Sequence, residues 1–392
     1  MASRHDKTKS QFNEVMKDLK HITDHQSDPS QIHIENFIGF TRVPVGLVGP
    51  LRVHESGAPG EGEGEGEGED VYAPLATTEA ALVASCSRGC KAFNQCGGIH
   101  FETLSDGMSR TPAFKFTSPA SALAFARQVP SFQSELTKVA ESSSRHLQLL
   151  SLTPTVIGST THVHFNYTSG DAAGQNMVSI ATHRACHWLL SSDRSKPLNI
   201  QAFILEGSLS SDKKSSWTNT VNHPRGVEAM AWGSITNEVA RATLGCSTEQ
   251  LHQTFTGMVN GGIRAGIHGN GANAMNVVAA MFIATGQDVA SVAEACWNQL
   301  TPEYDFETKV LTLSLYVPSL PVGTVGGGTH LDSQREGLEI LKCNGRGKKR
   351  RLAGLVVAFA LALDVSTIAA FTNDTFAQSH DRLRRKAGSA KI

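Results

Sequence analysis

THVHFNYTSGDAAGQNM, residues 161–177, is the stretch that indicates the fold class. The apolar side chains of Val163, Phe165 and Tyr167 alternate with polar ones, which is typical of a half-buried strand. The polar run 169–171 then predicts a turn that leads into a helix. A strand, a turn and a helix therefore follow one another directly.

The same mixture of elements continues towards the C-terminus. Residues 272–287 are rich in Ala and Met at helical spacing, and Gly286 predicts the helix end, which places Asp288 just beyond it. Residues 311–317 alternate Leu or Val with other residues, as a strand does. We therefore expect an α+β or mixed α/β fold.

Towards the N-terminus, a helix is predicted to start near residue 78. Thr77 or Thr78 can cap it, and the apolar positions from Leu82 to Cys90 keep to one helical face. Glu79 would then lie in the first turn, where a carboxylate usually only complements the helix dipole.

The composition describes a folded protein with little net charge. The chain has 392 residues, and its 35 Lys and Arg nearly balance its 36 Asp and Glu. No overall field would attract nucleic acid or a membrane surface, so neither is an expected partner. The seven cysteines contain no Cys-x-x-Cys pair, so we expect reduced thiols, no metal site and a cytoplasmic protein.

Two stretches have unusual composition. Residues 57–70 alternate Gly and Glu, which cannot bury apolar surface, and predict a solvated, flexible insert. The longest apolar run, Leu352 to Leu363, falls short of the roughly 18 residues of a membrane span and predicts a buried core helix. Residues 1–20 are polar and lack the apolar centre of a secretory signal.

Common nucleotide and hydrolase motifs are missing. The glycine cluster at 323–329 has no Lys-Ser/Thr of a P-loop, and no Gly-x-Gly-x-x-Gly lies between a strand and a helix. No Gly-x-Ser-x-Gly or His-Glu-x-x-His occurs either. The absence of these motifs argues against a Rossmann-type nucleotide site, a serine hydrolase and a zinc protease.

Taken together, several short blocks resemble hydroxymethylglutaryl-CoA reductases in order and spacing. The blocks are Glu35-Asn36, Pro44-Val45-Gly46, Gly49-Pro50-Leu51, Ala76-Thr77-Thr78-Glu79, Arg88-Gly89-Cys90-Lys91, Asp106-Gly107-Met108, Ser169-Gly170-Asp171, Asn176-Met177, Asp212-Lys213-Lys214, Gly286-Gln287-Asp288, Gly323 to Thr329 and Ser379-His380. The Asp-Lys-Lys block and the histidine in the tail look like the eukaryotic type (class I), whose members use NADPH.

The resemblance implies an α+β architecture with two domains. Residues 31–111 and 204–367 would form a large domain that binds acyl-CoA and mediates dimerisation, after a polar segment 1–30. Residues 112–203 would form an inserted, ferredoxin-like domain that binds NADP, and 368–392 a mobile flap. The resemblance also implies a homodimer or homotetramer with active sites between subunits.

The resemblance further implies a set of catalytic residues for reducing a thioester to an alcohol. Lys213 would stabilise the oxyanion, Glu79 would donate the proton, and Asp288 would lie hydrogen-bonded between them. His380 would protonate the departing CoA thiolate.

Binding residues are implied in the same way. Those expected to bind the acyl-CoA are Ser85, Arg88, Lys91, Arg110, Ser208, Lys214 and Asn276. Those expected to bind NADPH are Ser144, Arg145, Asp171, Gly174, Asn176, Met177, Gly326, Gly327, Gly328 and Arg385.

The chain departs from the family pattern at the acyl end of the site. Glu206 stands where a serine is usual, Ser208 where an asparagine is usual, and Asn273 where a histidine is usual. The implied activity is the NADPH-dependent reduction of hydroxymethylglutaryl-CoA to mevalonate and CoA. Two alternatives stay open: a reductase of a related acyl-CoA in a specialised pathway, and a weakly active decoy that binds CoA or inhibitors.

Overall fold

The computed structural model describes Ile32 and residues 34–56, 68–222 and 225–378. Ten strands lie in this part of the chain: β1 Val45–Glu55, β2 Glu69–Ala76, β3 Ile99–Arg110, β4 Ala113–Lys115, β5 Gln148–Ile157, β6 Thr160–Thr168, β7 Ala202–Ile204, β8 Gly226–Ile235, β9 Gln299–Tyr304 and β10 Leu311–Leu320. The α-helices there are α1 Leu82–Asn94, α2 Pro119–Gln128, α3 Gln133–Glu141, α4 Gln175–Ser191, α5 Trp217–Val221, α6 Asn237–Val239, α7 Thr248–Ala265, α8 Ala274–Thr285, α9 Val292–Ala295, α10 Asp332–Ile340 and α11 Lys349–Thr372.

Strand β3 connects two parts of one sheet. Its first part pairs with β8, and β10 and β9 continue the sheet beyond β8, all antiparallel. Its last residues, Met108 to Arg110, pair instead with β6. Because Arg110 is the last residue of β3, its side chain lies where the two parts meet.

The chain between β3 and β7 forms a unit of its own. Its strands lie in the order β7-β4-β6-β5, all antiparallel, with helices in the two crossovers. This is the split βαβ arrangement of ferredoxin-like domains. A separate apolar core built on Phe114, Phe125, Phe165 and Tyr167 lies beneath it. The α+β class is confirmed.

Helix α11 is the centre of the larger core. All residues from Leu352 to Ala370 are buried in it. The helix has 24 residues, so it is longer than the apolar run predicted, and by length and composition alone it could cross a membrane. The burial of its residues 352–370 is typical of a core helix. Residues 368–372 belong to it, so the expected flap does not begin at 368.

Two further expectations were wrong in their bounds. Helix α1 begins at Leu82, because Ala81 has a left-handed backbone (φ 72°) that interrupts the helix before it. Glu79 therefore precedes the helix, and the hydroxyl of Thr77 accepts the Glu79 N–H at 3.0 Å. At the Gly-Glu stretch, β2 already begins at Glu69, whose carboxylate pairs with Lys342 and Arg351. Residues 57–67 lie outside the described part.

Candidate active site

A lysine and an aspartate form an ion pair at the end of α8. Lys213 Nζ lies 2.8 Å from Asp288 Oδ2, and the two side chains are 43% and 38% exposed. The hydrogen bond that Lys213 donates to Asp288 raises the pKa of Lys213. Asp288 Oδ1 also accepts the N–H of Ala290 at 3.1 Å. The site thus offers a fixed cation that is open to a ligand.

A buried charge network holds the backbone of Lys213. The Lys213 N–H donates to Glu294 Oε1 at 2.8 Å, and Lys213 has a left-handed backbone, φ 54°. Arg225, fully buried, donates from Nε to Glu294 Oε2 at 2.6 Å and from Nη2 to Asp212 Oδ1 at 2.8 Å. The network therefore fixes the loop that carries the lysine.

The sequence reasoning missed Arg225 and Glu294. They are 69 residues apart, and neither belongs to a block that suggested function. The one available signal was that Glu294 stands alone among apolar residues in the short helix α9. A carboxylate that is buried there needs a charged or hydrogen-bonding partner.

Arg110 extends the same network. Its Nη1 donates to Asp212 Oδ2 at 2.8 Å and to Glu206 Oε2 at 2.6 Å. Although burial opposes the charge, these hydrogen bonds raise the pKa of Arg110. Burial likewise opposes ionisation of Asp212, but Arg225 and Arg110 lower its pKa. Lys214 lies beside them, with Nζ 3.2 Å from the carbonyl oxygen of Asp212.

A second group of predicted residues lines a cleft between α1 and α11. The cleft has a volume of about 470 Å³, and Glu79, Ser85, Arg88 and Asn273 contribute to its walls. Ser366 of α11 accepts from Arg88 Nε at 2.9 Å and lies 2.9 Å from the Ser85 hydroxyl. Lys91 is exposed one turn further along α1.

The start of α8 closes this cleft. Asn276 Nδ2 donates to Glu79 Oε2 at 2.7 Å. The fully buried carboxylate of Asp364 accepts the N–H groups of Asn273 at 2.7 Å and Ala272 at 3.1 Å, in place of a side-chain cap. Burial raises the pKa of Asp364 to about 7. Asp364 thus orients Asn276 through the helix end.

The two groups lie at opposite ends of α8. Asn276 is in its first turn and Asp288 lies three residues beyond its last residue, Thr285, so about 13.5 Å of helix at 1.5 Å per residue separates Asn276 from the helix end. Asp288 was expected to lie between lysine and glutamate. Within one chain its side chain pairs with Lys213 and accepts the Ala290 N–H, while Glu79 contacts the opposite end of α8.

The residues expected to bind the cofactor lie beside the Lys213–Asp288 pair. The N–H of Thr324 donates to the carbonyl of Asp171 at 2.8 Å, which joins the glycine loop to the turn before α4. Gly328 packs so closely on Gly286 that neither position has room for a Cβ. The glycine loop therefore lies between the start of α4 and Asp288.

This loop and α4 leave room for phosphate groups. Gly326 and Gly327 have left-handed backbones, and no atom lies within 4 Å of a Cβ built on either. Gly174 caps α4, so the amides of Asn176 and Met177 lie in its first turn, where a helix N-terminus favours an anion. The Ser144-Arg145 pair lies nearby, since His146 is 3.8 Å from a Cβ built on Gly170. These residues fit a dinucleotide.

His380 and Arg385 lie outside the described residues. Among the residues that are described, no group of three or more His, Cys, Asp or Glu side chains is placed to hold a metal ion.

An accessible lysine paired with an aspartate, beside a glycine loop with room for phosphate groups, is the kind of site that a nucleotide-dependent reductase needs. The sequence model for hydroxymethylglutaryl-coenzyme A reductase matches residues 1–385. The chain belongs to that family.

Named relatives agree with this assignment. The 3-hydroxy-3-methylglutaryl-coenzyme A reductase of Methanocaldococcus jannaschii is 32% identical over 94% of this chain and 89% of its own length. That of Haloferax volcanii is 35% identical over 92% and 86%. That of Schistosoma mansoni is 34% identical over 90% of this chain but 36% of its own length.

A solved structure shares the fold. The class II 3-hydroxy-3-methylglutaryl-CoA reductase of Streptococcus pneumoniae, bound to NADPH, superposes with a TM-score of 0.67 at 18% identity, covering 94% of this chain and 97% of its own. The family match and the named relatives show the family. The expected eukaryotic type is not shown, because the relatives include archaeal proteins and the structural neighbour is of class II.

Proposed function

We propose that this protein reduces (S)-3-hydroxy-3-methylglutaryl-CoA to mevalonate and free CoA, with oxidation of two NADPH. The observation that carries the proposal is the Lys213–Asp288 pair, held by a buried network beside the glycine loop. Each NADPH, when bound, would supply one hydride. The thioester would become a hemithioacetal, whose C–S bond breaks to release CoA and leave an aldehyde, and reduction of the aldehyde would give the alcohol.

Each step builds negative charge on the substrate oxygen. Lys213 would neutralise that charge, and one such donor typically contributes about 10²–10³ in rate. Glu79 would donate a proton to the oxygen, oriented by Asn276. His380 would protonate the CoA thiolate that leaves when the hemithioacetal collapses.

The binding residues divide between the same two groups. Ser85, Arg88 and Lys91 on α1 would contact CoA, while Arg110, Ser208 and Lys214 would hold the acyl carboxylate through charge-assisted hydrogen bonds. Ser144 and Arg145 would hold the 2′-phosphate of NADPH. The glycine loop, Asp171 and the start of α4 would hold its remaining parts, with Arg385 as a further contact.

The separation of the two groups supports a site shared by two copies of the chain. Glu79 of one copy would meet Lys213 and Asp288 of the other, since within one copy they lie at opposite ends of α8, with about 13.5 Å of helix between Asn276, which binds Glu79, and Thr285. A homodimer or homotetramer with active sites at the subunit interface accounts for this arrangement.

The type of enzyme and its compartment also belong to the proposal. The Asp212-Lys213-Lys214 block supports the eukaryotic type, class I. A cytoplasmic location is supported by seven free cysteines and by the burial of α11 in the core. Reduction of a related acyl-CoA is the second candidate, favoured by the contact of Glu206 with Arg110.

The stoichiometry of the reaction tests the proposal. The purified chain is incubated with hydroxymethylglutaryl-CoA and NADPH, and nucleotide oxidation, free thiol and mevalonate are measured together. Two NADPH oxidised for each thiol and each mevalonate is the expected result. Thiol release without NADPH oxidation would indicate a hydrolase and would contradict the proposal. NADH in place of NADPH serves as the control for the 2′-phosphate contact.

A further inference from the structure

The carboxylate of Glu206 lies in a pocket of three hydrogen-bond donors. Its Oε2 accepts from Arg110 Nη1 at 2.6 Å and from the hydroxyl of Ser210 at 2.7 Å, and its Oε1 accepts the N–H of Ser208 at 2.7 Å. A guanidinium, a hydroxyl and an amide that converge on two oxygens are what a carboxylate-binding subsite consists of. The Ser208 backbone is left-handed, φ 64°.

This pocket lies next to the catalytic lysine. Arg110 Nη1 contacts Asp212 Oδ2 at 2.8 Å, and Asp212 directly precedes Lys213. The Arg110 side chain is 8% exposed, whereas that of Glu206 is 31% exposed. The glutamate therefore lies at the mouth of the pocket, with solvent on one side.

Two carboxylates already share one nitrogen of Arg110 in this pocket. Two guanidinium groups, Arg110 and Arg225, face three carboxylates, Glu206, Asp212 and Glu294. Lys214 adds a cation beside them, with Nζ 3.2 Å from the carbonyl oxygen of Asp212. Because Arg110 Nη1 has two N–H groups and both are used, a further carboxylate could bind that nitrogen only by replacing Glu206 or Asp212.

We propose that Glu206 occupies the subsite for the acyl carboxylate and so sets the specificity of the enzyme as an internal competitor. The inference rests on the function proposed above, in which Arg110 and Ser208 bind that carboxylate. An acyl group with a free carboxylate must displace Glu206 into solvent. The free energy that this displacement costs offsets much of the free energy that the acyl carboxylate gains by binding. A neutral acyl group of the same shape leaves the Arg110–Glu206 contact intact.

The effect belongs to binding rather than to the chemical step. The acyl carboxylate is the same in the ground state and the transition state, so its contact changes KM more than kcat. A charge-assisted hydrogen bond contributes about 1.5–3 kcal/mol, so freeing Arg110 should lower the KM for a dicarboxylic thioester about tenfold or more.

The test compares two thioesters on three forms of the full chain. The substrates are hydroxymethylglutaryl-CoA and 3-hydroxy-3-methylbutyryl-CoA, in which hydrogen replaces the terminal carboxylate. The forms are the parent, Glu206→Ser and Glu206→Gln, which keeps the size of the side chain if the serine variant folds poorly. Glu135→Gln is the matched control, because Glu135 pairs with Arg194 on the surface of α3.

We expect both Glu206 variants to raise the preference for the dicarboxylic thioester about tenfold through a lower KM, with Glu135→Gln unchanged. An unchanged preference in active variants, or a higher KM for the dicarboxylic thioester, would overturn the inference about Glu206 but leave the proposed function standing. If no form reduces either thioester, the proposed function itself fails, and the inference fails with it.

Discussion

The ammonium nitrogen of Lys213 lies 2.8 Å from Oδ2 of Asp288, at the point where α8 ends and the glycine loop approaches. The carboxylate keeps the lysine charged and limits its freedom, while both groups stay accessible to a ligand. A cation that is already oriented before the reaction needs little reorganisation when charge develops on the substrate oxygen.

Removing the charge of Asp288 should change the pH dependence of turnover. The hydrogen bond that Lys213 donates to Asp288 raises the pKa of Lys213, so the cation is present below that pKa and lost as the pH rises through it. In Asp288→Asn the alkaline fall of kcat should move to lower pH, and kcat should decrease about 10²-fold. A pH profile of kcat measures both effects.

The control for this substitution is Asp193→Asn, which removes the carboxylate of the exposed Lys196–Asp193 pair. Its profile should match that of the parent. An Asp288→Asn profile that also matches the parent would show that Asp288 does not set the protonation of the lysine.

Removing Arg225 should destabilise the fold, and a second substitution should separate stability from activity. Arg225→Met leaves Glu294 buried without its cation, which costs about 3–5 kcal/mol in the free energy of unfolding. Adding Glu294→Leu should restore most of that stability. It should leave kcat low, because the N–H of Lys213 loses its acceptor.

Urea denaturation and steady-state kinetics on the single and double variants check this prediction. Recovery of kcat together with stability would mean that the network serves only the fold.

Gly89 should tolerate no side chain, because α1 and α11 touch there. A Cβ on Gly89 would overlap the carbonyl oxygen of Ala362 in the rigid core helix. We expect Gly89→Ala to lower the free energy of unfolding by about 1–3 kcal/mol. Gly257→Ala in α7, where a Cβ meets no atom within 4 Å, should raise it by about 0.5–1 kcal/mol. Equal shifts in urea midpoint would contradict the close helix contact.

Mixed dimers should reveal whether the site is shared between two chains. Lys213→Ala and Glu79→Ala chains should each be inactive alone. In a shared site, random pairing makes half of the dimers mixed, and each mixed dimer has one intact site of two, so about a quarter of the parent rate returns. Co-expression with two affinity tags and an activity assay measures this. Full inactivity of the mixed dimer would place both residues in one subunit's site.

Local patterns were enough to predict several elements. The alternation of Val163, Phe165 and Tyr167 gave β6, and Gly286, with φ 73°, ends α8 as expected. Period and turn chemistry are properties of neighbouring residues, so they can be derived without the tertiary structure. The roles of Lys213 and Glu79, by contrast, came from resemblance to a family and not from spacing.

The contacts that shape the site could not be derived locally. Nothing in the neighbourhood of Ala81 predicts its left-handed backbone, which moves Glu79 off the helix. The partners Arg225 and Glu294 are 69 residues apart, and Asp364 caps a helix that begins 90 residues earlier. The separation in space of Glu79 and Asp288 can be seen only in the folded structure, where α8 lies between them.

The most direct test of the account is the rate of NADPH oxidation with hydroxymethylglutaryl-CoA for the parent and for Lys213→Ala, with Lys196→Ala as the exposed-lysine control. The account predicts turnover by the parent and the control, and a loss of about 10²–10³ or more in kcat for Lys213→Ala. Turnover that survives the loss of Lys213 within a fewfold of the parent would contradict it.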